Sequence, residues 1–104
     1  MRFVRRSWGW YFTLWNGEHF KIKILRFKKY SPLSLQYHTL RSELWLFLSG
    51  NGVFTEGTTH RDICKGDYAM INQGVSHSYR AVTPTTVLEV QFGKQCIEED
   101  IVRL

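Results

Sequence analysis

Three polar side chains within eight positions, followed by one distant histidine, are the residues of this sequence best suited to chemistry. They are Gln36, His38, Glu43 and His77. Gln36 and His38 are two residues apart, so both point to the same side of an extended strand. A short loop over residues 39–42 would return the chain so that Glu43 faces the same interior. Amide, imidazole and carboxylate ligands together suit one divalent ion, with Zn²⁺ as our first choice and Mn²⁺, Fe²⁺ or Co²⁺ as the others.

Each of these residues taken alone also has an ordinary structural explanation. His77 could be a hydrogen-bonded core histidine, and Gln36 could satisfy a backbone group. Glu43 is harder to explain in this way, because an unpaired buried carboxylate is costly. The four residues taken together therefore predict a metal site.

The elements that must position these side chains are predicted to be short strands. Runs of aromatic and β-branched residues alternate with clusters of Gly, Asn and Asp, and Ser49-Gly50-Asn51-Gly52 is the strongest hairpin signal. We predict strands over residues 10–15, 20–29, 33–38, 43–48, 53–55, 59–64, 68–71, 76–82 and 87–92, and one helical turn in a tail at 97–104. Short strands at such regular spacing favour a sandwich or barrel, and a metal-bearing jelly roll fits best.

The length of 104 residues indicates one domain, residues 1–104, and its 15% aromatic content favours strands. The net charge of +5 allows anionic partners. Five basic residues alternate with apolar ones, which predicts a strand with one solvated cationic face: Lys21, Lys23, Arg26, Lys28 and Lys29. Because no nucleic-acid motif accompanies them, we expect no nucleic-acid partner. A phosphorylated small molecule would be attracted by the same field.

The cysteine content and the apolar runs bear on location. Cys64 and Cys96 have no CxxC spacing, so we expect free thiols in a reducing cytoplasm. Neither a secretory signal nor a membrane span is expected. A chain this short has modest reserves of stability, and we expect it to form a homodimer.

The two ligand segments resemble the two cupin motifs. The first motif has the form G-x5-H-x-H-x(3,4)-E-x6-G, with Tyr30 in the place of the first glycine, Gln36 in the place of the first histidine, and matches at His38, Glu43 and Gly50. The second has the form G-x5-P-x-G-x2-H-x3-N, with matches at Gly66, Gly74 and His77, and with Asn72 and Ala81 as departures. This resemblance implies a cupin jelly-roll β-barrel, an all-β fold.

A closer resemblance extends over nearly the whole chain. Residues 6–9, 33–38, 88–93 and 99–103 are similar in order and spacing to blocks of the C-terminal cupin of type II mannose-6-phosphate isomerases. That cupin is usually fused to a mannose-1-phosphate guanylyltransferase, for which this chain has no glycine-rich phosphate loop. The resemblance implies a metal-dependent isomerase of carbohydrate metabolism and polysaccharide biosynthesis, which interconverts mannose 6-phosphate and fructose 6-phosphate.

The sequence departs from this family at three positions near the first motif. Thr39, Leu40 and Leu44 stand where further histidines are usual. The departures leave two other hypotheses open. One is a cupin that keeps the metal and acts as a small-molecule or sugar-binding module without isomerase activity. The other is a different cupin enzyme, such as a metal-dependent oxygenase or a sugar epimerase.

The implied reaction needs a base that moves a proton between C1 and C2, and a cation that stabilises an enediolate oxygen. The candidates for the base are metal-bound water, Glu43 and Lys21. Arg41 is our choice for a catalytic or substrate contact, because its planar guanidinium matches an oxyanion. Further candidates for contact with substrate are Lys23, Arg80 and Trp45. Arg80 should point away from His77 by strand alternation, whereas Trp45 should share the interior face of Glu43.

Overall fold

The computed structural model of the protein describes residues 2–104 and, over that range, consists of strands joined by turns. In this part of the chain no helix is long and apolar enough to cross a membrane. The strands are β1 Arg2–Arg6, β2 Gly9–Asn16, β3 Phe20–Phe27, β4 Leu33–Tyr37, β5 Arg41–Ser49, β6 Gly52–Glu56, β7 Thr59–Ile63, β8 Tyr68–Ile71, β9 His77–Ala81, β10 Thr85–Gly93 and β11 Val102–Arg103.

The strands form two antiparallel sheets. The six-stranded sheet has the order β1-β2-β3-β10-β5-β8, and the five-stranded sheet has the order β11-β4-β9-β6-β7. Strands distant in sequence are neighbours, as when β10 lies between β3 and β5. The predicted all-β jelly roll is confirmed.

The predicted strands are all present, with ends within two residues of the expected ones. β1 was not predicted, because three arginines in five residues are not typical of a strand. It is an edge strand, so its arginines remain exposed to solvent. The helical turn predicted within 97–104 is wrong. Those residues follow an irregular path that ends in the short strand β11, which pairs with β4.

The side chains of β3 point in the direction opposite to our prediction. Lys21 and Lys23 face the interior and are only 6% and 3% exposed, whereas Ile22 and Ile24 lie on the outer face. Leu25 is an inward-facing core residue, and alternation along the strand turns both lysines the same way. The predicted solvated cationic face is therefore wrong for these two lysines.

The interior is divided into an apolar end and a polar end. Aromatic rings fill the apolar end, where Phe27 stacks on Trp8 with ring centroids 4.5 Å apart and meets Tyr79 edge to face at 5.0 Å. The cross-strand pairing of β3, β10 and β5 defines the layers above it. Leu25, Val87 and Phe47 form an apolar layer; the next two layers are Lys23, Glu89 and Trp45, then Lys21, Gln91 and Glu43.

The outer face of the six-stranded sheet is also apolar. Two rows of cross-strand neighbours, here called the outer rows, run over it. The first crosses all six strands, and the second crosses four. The first row consists of Phe3, Phe12, Ile24, Leu88, Leu46 and Tyr68. The second row consists of Ile22, Val90, Leu44 and Met70.

Candidate metal centre

Three of the four predicted ligands converge inside the molecule. His38 directly follows β4, Glu43 lies on β5 and His77 opens β9, and all three are at most 3% exposed. One ligand atom from each lies within 4.8 Å of the others. Nε2 of His38 is 3.2 Å from Oε2 of Glu43, and Nε2 of His77 is 3.8 Å from Oε1. The two imidazoles therefore aim at the two oxygens of one carboxylate.

The hydrogen bonds of the imidazoles test whether these residues fit a metal. Nδ1 of His38 lies 2.6 Å from the carbonyl oxygen of Asp100, and Nδ1 of His77 lies 3.2 Å from that of Val75. A carbonyl can only accept, so Nδ1 carries the proton and the neutral ring presents its Nε2 lone pair. Both Nε2 atoms are buried and have no hydrogen-bond partner. Metal-binding histidines have this arrangement, so the residues present fit a divalent ion.

The charge on Glu43 is fixed by its neighbours. Arg41 donates from Nε to Oε2 at 2.9 Å, and Trp45 donates from Nε1 to Oε1 at 3.0 Å. Burial raises the pKa of Glu43, but the positive charge of Arg41, the interactions with the two imidazoles and the hydrogen bond from Trp45 outweigh burial and lower the pKa to about 2. Glu43 is thus an anionic ligand at neutral pH. Burial lowers the pKa of His77, which keeps its imidazole in the neutral form that a metal requires.

Gln36, the fourth predicted ligand, is 7% exposed and lies directly opposite His77 in the pairing of β4 with β9. It lines the same cavity as His38 and Glu43, which has a volume of about 160 Å³. The arrangement leaves the amide available to the cluster.

Arg41 is held inside the protein and not in a solvated loop. It lies on β5, is 5% exposed, and its second donor reaches the carbonyl oxygen of Ile97 at 2.7 Å. It also lines the cavity. Its contacts show that it orients Glu43, while its role as a substrate contact stays a prediction.

The remaining candidates divide between the interior and the surface. Trp45 shares the interior face of Glu43 as predicted. The ammonium groups of Lys21 and Lys23 both donate hydrogen bonds to the carboxylate of Glu98. Arg80 is exposed and lies over the ring of Tyr30, so the prediction that it points away from His77 is confirmed.

Two of the positions where the family has histidines, Leu44 and Thr39, do not point into the cluster of His38, Glu43 and His77. Leu44 faces outward between Val90 and Met70, and Thr39 is exposed, with its hydroxyl on the carboxylate of Asp100. Leu44 therefore removes no group from the site, because alternation along β5 places it on the face opposite to Glu43.

Sequence reasoning gave no role to Glu89, a second buried carboxyl in the cavity. It is 5% exposed and accepts a hydrogen bond from Nε2 of Gln91 at 2.7 Å. Burial and the negative charge of Glu43 raise its pKa to about 8, although Lys23 and Arg41 act in the opposite direction. Glu89 and Gln91 are two apart on a strand, like Gln36 and His38, and that spacing was the signal available in the sequence.

Known proteins resemble the chain over its whole length. The family model described as "Mannose-6-phosphate isomerase C-terminal" matches residues 1–104. The xanthan biosynthesis protein XanB of Xanthomonas campestris pv. campestris (strain B100) is 35% identical over 98% of this chain and 22% of its own length. Mannose-1-phosphate guanylyltransferase 2 of Escherichia coli O157:H7 is 33% identical over the same shares. The chain spans about a fifth of these relatives.

Solved structures of similar shape share the fold at low sequence identity. Oxalate decarboxylase from Bacillus subtilis superimposes with a TM-score of 0.88 at 18% identity, covering 99% of this chain and 30% of that one. The cupin domain of Cnp3 from Schizosaccharomyces pombe gives 0.77 at 11% identity, covering 81% and 64%. The expected cupin fold is confirmed.

Proposed function

The chain belongs to the family of mannose-6-phosphate isomerase C-terminal domains, and from this premise we propose that it is a metal-dependent isomerase of mannose 6-phosphate and fructose 6-phosphate. The observation that carries the proposal is the pair of unpartnered, buried Nε2 atoms facing one ionised carboxylate. A metal-dependent aldose–ketose isomerase needs such a cation site beside a base. Relatives named for mannose-1-phosphate chemistry and for xanthan biosynthesis support a sugar phosphate as the substrate.

We assign the cation to Gln36, His38, Glu43 and His77, with Zn²⁺ as the first choice. When bound, a divalent cation would supply the positive charge that stabilises an enediolate oxygen. Arg41 and Trp45 hold the Glu43 carboxylate in place through their hydrogen bonds. The apolar layer beneath the cluster excludes water from one side, which strengthens these interactions.

We assign the base to Glu89. Both oxygens of Glu43 accept hydrogen bonds, and the ammonium of Lys21 is engaged by Glu98, so neither of these two side chains is as free as Glu89. Glu89 lines the cavity, and a pKa of about 8 is close to the pH at which a general base works best. Its carboxylate would remove the proton from C2 of the aldose and return it to C1, which regenerates the base, while the hydroxyl proton of O2 passes to O1 and completes the conversion to the ketose.

An assay on mannose 6-phosphate coupled to fructose 6-phosphate detection tests the proposal. Metal-stripped protein, supplied in turn with Zn²⁺, Mn²⁺, Co²⁺ and Fe²⁺, is expected to show turnover with at least one of them. No turnover above background with any metal would contradict the isomerase assignment.

Metal analysis of the same preparations tests the centre separately from the activity. His77→Ala is expected to bind the active metal at least about 10–100-fold more weakly than the wild type. The matched control is His60→Ala, which removes an exposed histidine and should leave metal affinity unchanged. Equal metal content in both variants would remove His77 from the ligand set.

A metal-binding cupin without isomerase activity is the second candidate. It is favoured by Thr39, which has a hydrogen bond to Asp100 where the family has a histidine. Retained metal binding without turnover, together with activity gained by Leu40→His, would establish this alternative. Leu44→His should have no effect, because that side chain lies on the outer face.

We also propose a homodimer that pairs through the outer rows. Six strands at about 4.8 Å spacing give a face about 24 Å wide, and strands of eight or nine residues make it about 27 Å long. That area, at most about 650 Å², lies at the lower end of the roughly 600–1,000 Å² per partner of a standard interface, and one self-complementary patch suffices for two-fold symmetry. Light scattering of the wild type is expected to give twice the 12.3 kDa chain mass. The variant Leu88→Lys, which places a charge in the outer rows, should give the mass of a single chain. Ser78→Lys, on the other sheet, is the control; a monomeric wild type would overturn the proposal.

A further inference from the structure

Residues 94–104, here called the mouth segment, cross the polar end of the interior. The amide of Cys96 donates to the carbonyl oxygen of Glu18, and that of Leu104 donates to Leu35. The Asp100 carboxylate accepts from the amides of Thr39 and Leu40 at 2.8 and 2.9 Å. The segment is therefore fixed on both sides of Glu98.

Glu98 places one carboxylate between two buried lysines. Its Oε2 accepts from Nζ of Lys23 at 2.6 Å and from Nζ of Lys21 at 3.2 Å, while Oε1 accepts from the hydroxyl of Tyr11 at 3.3 Å. The lysine side chains are 4% and 7% exposed, but the Glu98 side chain is 37% exposed. The ammonium groups of Lys21 and Lys23, here called the cationic seat, belong to strand β3, whereas the carboxylate that fills the seat is in contact with solvent.

The charges of this seat do not balance. Two ammonium groups face one carboxylate, and Glu89, which lies opposite Lys23 in the pairing of β3 with β10, is largely protonated at neutral pH. Arg6 adds further positive charge, since its guanidinium lies 5.5 Å from the ring centroid of Tyr11. A phosphate monoester, with a charge of about −1.5 to −2, would neutralise the two lysines better than Glu98 does.

Glu98 also stands where two cavities meet. It lines the inner cavity of about 160 Å³, which His38 and Glu43 also line, and an outer cavity of about 360 Å³ beside Arg2 and Trp15. Tyr11 lines both cavities as well. Turning the Glu98 side chain away would both vacate the seat and join the two cavities.

We propose that Lys21 and Lys23 form a phosphate site that the Glu98 carboxylate fills in the ligand-free protein, and that the phosphate monoester of an incoming ligand displaces it. The sugar part of that ligand rests on the proposed isomerase function; the phosphate site does not. Glu98 thus competes with the ligand and lowers its affinity, while it keeps two buried ammonium groups paired until the ligand arrives.

Calorimetric titration of metal-stripped protein with inorganic phosphate tests the site without metal or turnover. Glu98→Gln removes the competing charge and is expected to bind phosphate at least about tenfold more tightly than the wild type, the equivalent of one lost competing interaction. The matched control is Glu99→Gln, which removes the same charge from an exposed neighbour and should stay within about twofold of the wild type. Adding Lys23→Met to Glu98→Gln should abolish the gain.

Four outcomes would overturn the proposal. The first is that no variant binds phosphate, and the second is that Glu98→Gln and Glu99→Gln bind it with equal affinity. The third is that the gain in phosphate affinity survives the addition of Lys23→Met. The fourth is an equal gain in affinity for acetate, which would make the seat a general carboxylate site. Should Glu98→Gln fail to fold, Glu98→Asp decides, since it keeps the charge but withdraws the carboxylate by one methylene and should still tighten phosphate binding. Because the titration uses no sugar and no metal, it can succeed even where the isomerase assay fails.

Discussion

Glu89→Gln is expected to lower kcat for mannose 6-phosphate by about 10²–10⁴-fold, the usual contribution of a positioned general base. The amide cannot accept the C2 proton, yet it has the size of the carboxyl and can keep the contact with Gln91. KM and metal content should change little, because Glu89 is not part of the metal cluster. The matched variant Glu89→Asp retains a carboxylate and should keep more activity than Glu89→Gln. A Glu89→Gln enzyme within threefold of the wild-type kcat would show that the base lies elsewhere.

The same variant has an expected signature that does not depend on turnover. The folded protein holds the Glu89 proton up to a pKa of about 8, whereas the unfolded chain releases it near the ordinary value of 4.5. The stability that this proton contributes is therefore fully present below about pH 4.5 and is lost as the pH rises through about 8. In metal-stripped protein the wild type should lose up to about 1.4 kcal/mol of unfolding free energy per pH unit relative to Glu89→Gln within that window. Parallel pH profiles of the two proteins would contradict the raised pKa.

Arg41→Met should lower the unfolding free energy by about 3–5 kcal/mol, since it leaves Glu43 as a buried charge without its partner. The guanidinium supplies the 2.9 Å hydrogen bond to Glu43 and also the donor to Ile97 in the mouth segment. Urea unfolding of metal-free protein at pH 8, where the lowered pKa of His77 keeps that imidazole neutral, measures this effect.

The control for Arg41 removes both charges at once. The double variant Arg41→Met/Glu43→Gln should recover most of the lost stability, because replacing both members of a buried ion pair costs far less than removing one. Additive losses in the double variant would mean that Arg41 stabilises the protein by packing and by its bond to Ile97, and not by neutralising Glu43.

The convergence of the candidate metal ligands could be predicted from the sequence because part of its geometry is local. Gln36 and His38 share a face by alternation, and His77 pairs directly across from Gln36. The cupin spacing supplied the long-range part. The direction of Lys21 and Lys23 could not be obtained this way, since β3 alternates equally well with either face inward. That choice depends on Leu25 in the core and on Glu98, which is more than 70 positions away.

Tyr30 occupies a glycine position of the first cupin motif, and its backbone conformation gives the physical reason for glycine there. It stands where the first cupin motif has glycine, and its φ of 63° lies in the left-handed region that glycine occupies without cost. Its ring is held between Lys29 at 4.9 Å and Arg80 at 5.0 Å. These cation–π contacts offset part of the strain, so the backbone conformation of the motif persists without its glycine.

The outer rows have a practical consequence for handling the protein. They make one broad side of the molecule predominantly apolar. A protein with such a face adsorbs at an air–water interface with its apolar face towards the air. Bubbles, stirring and thin films on microscopy grids are therefore where protomers whose apolar side is uncovered should be lost first.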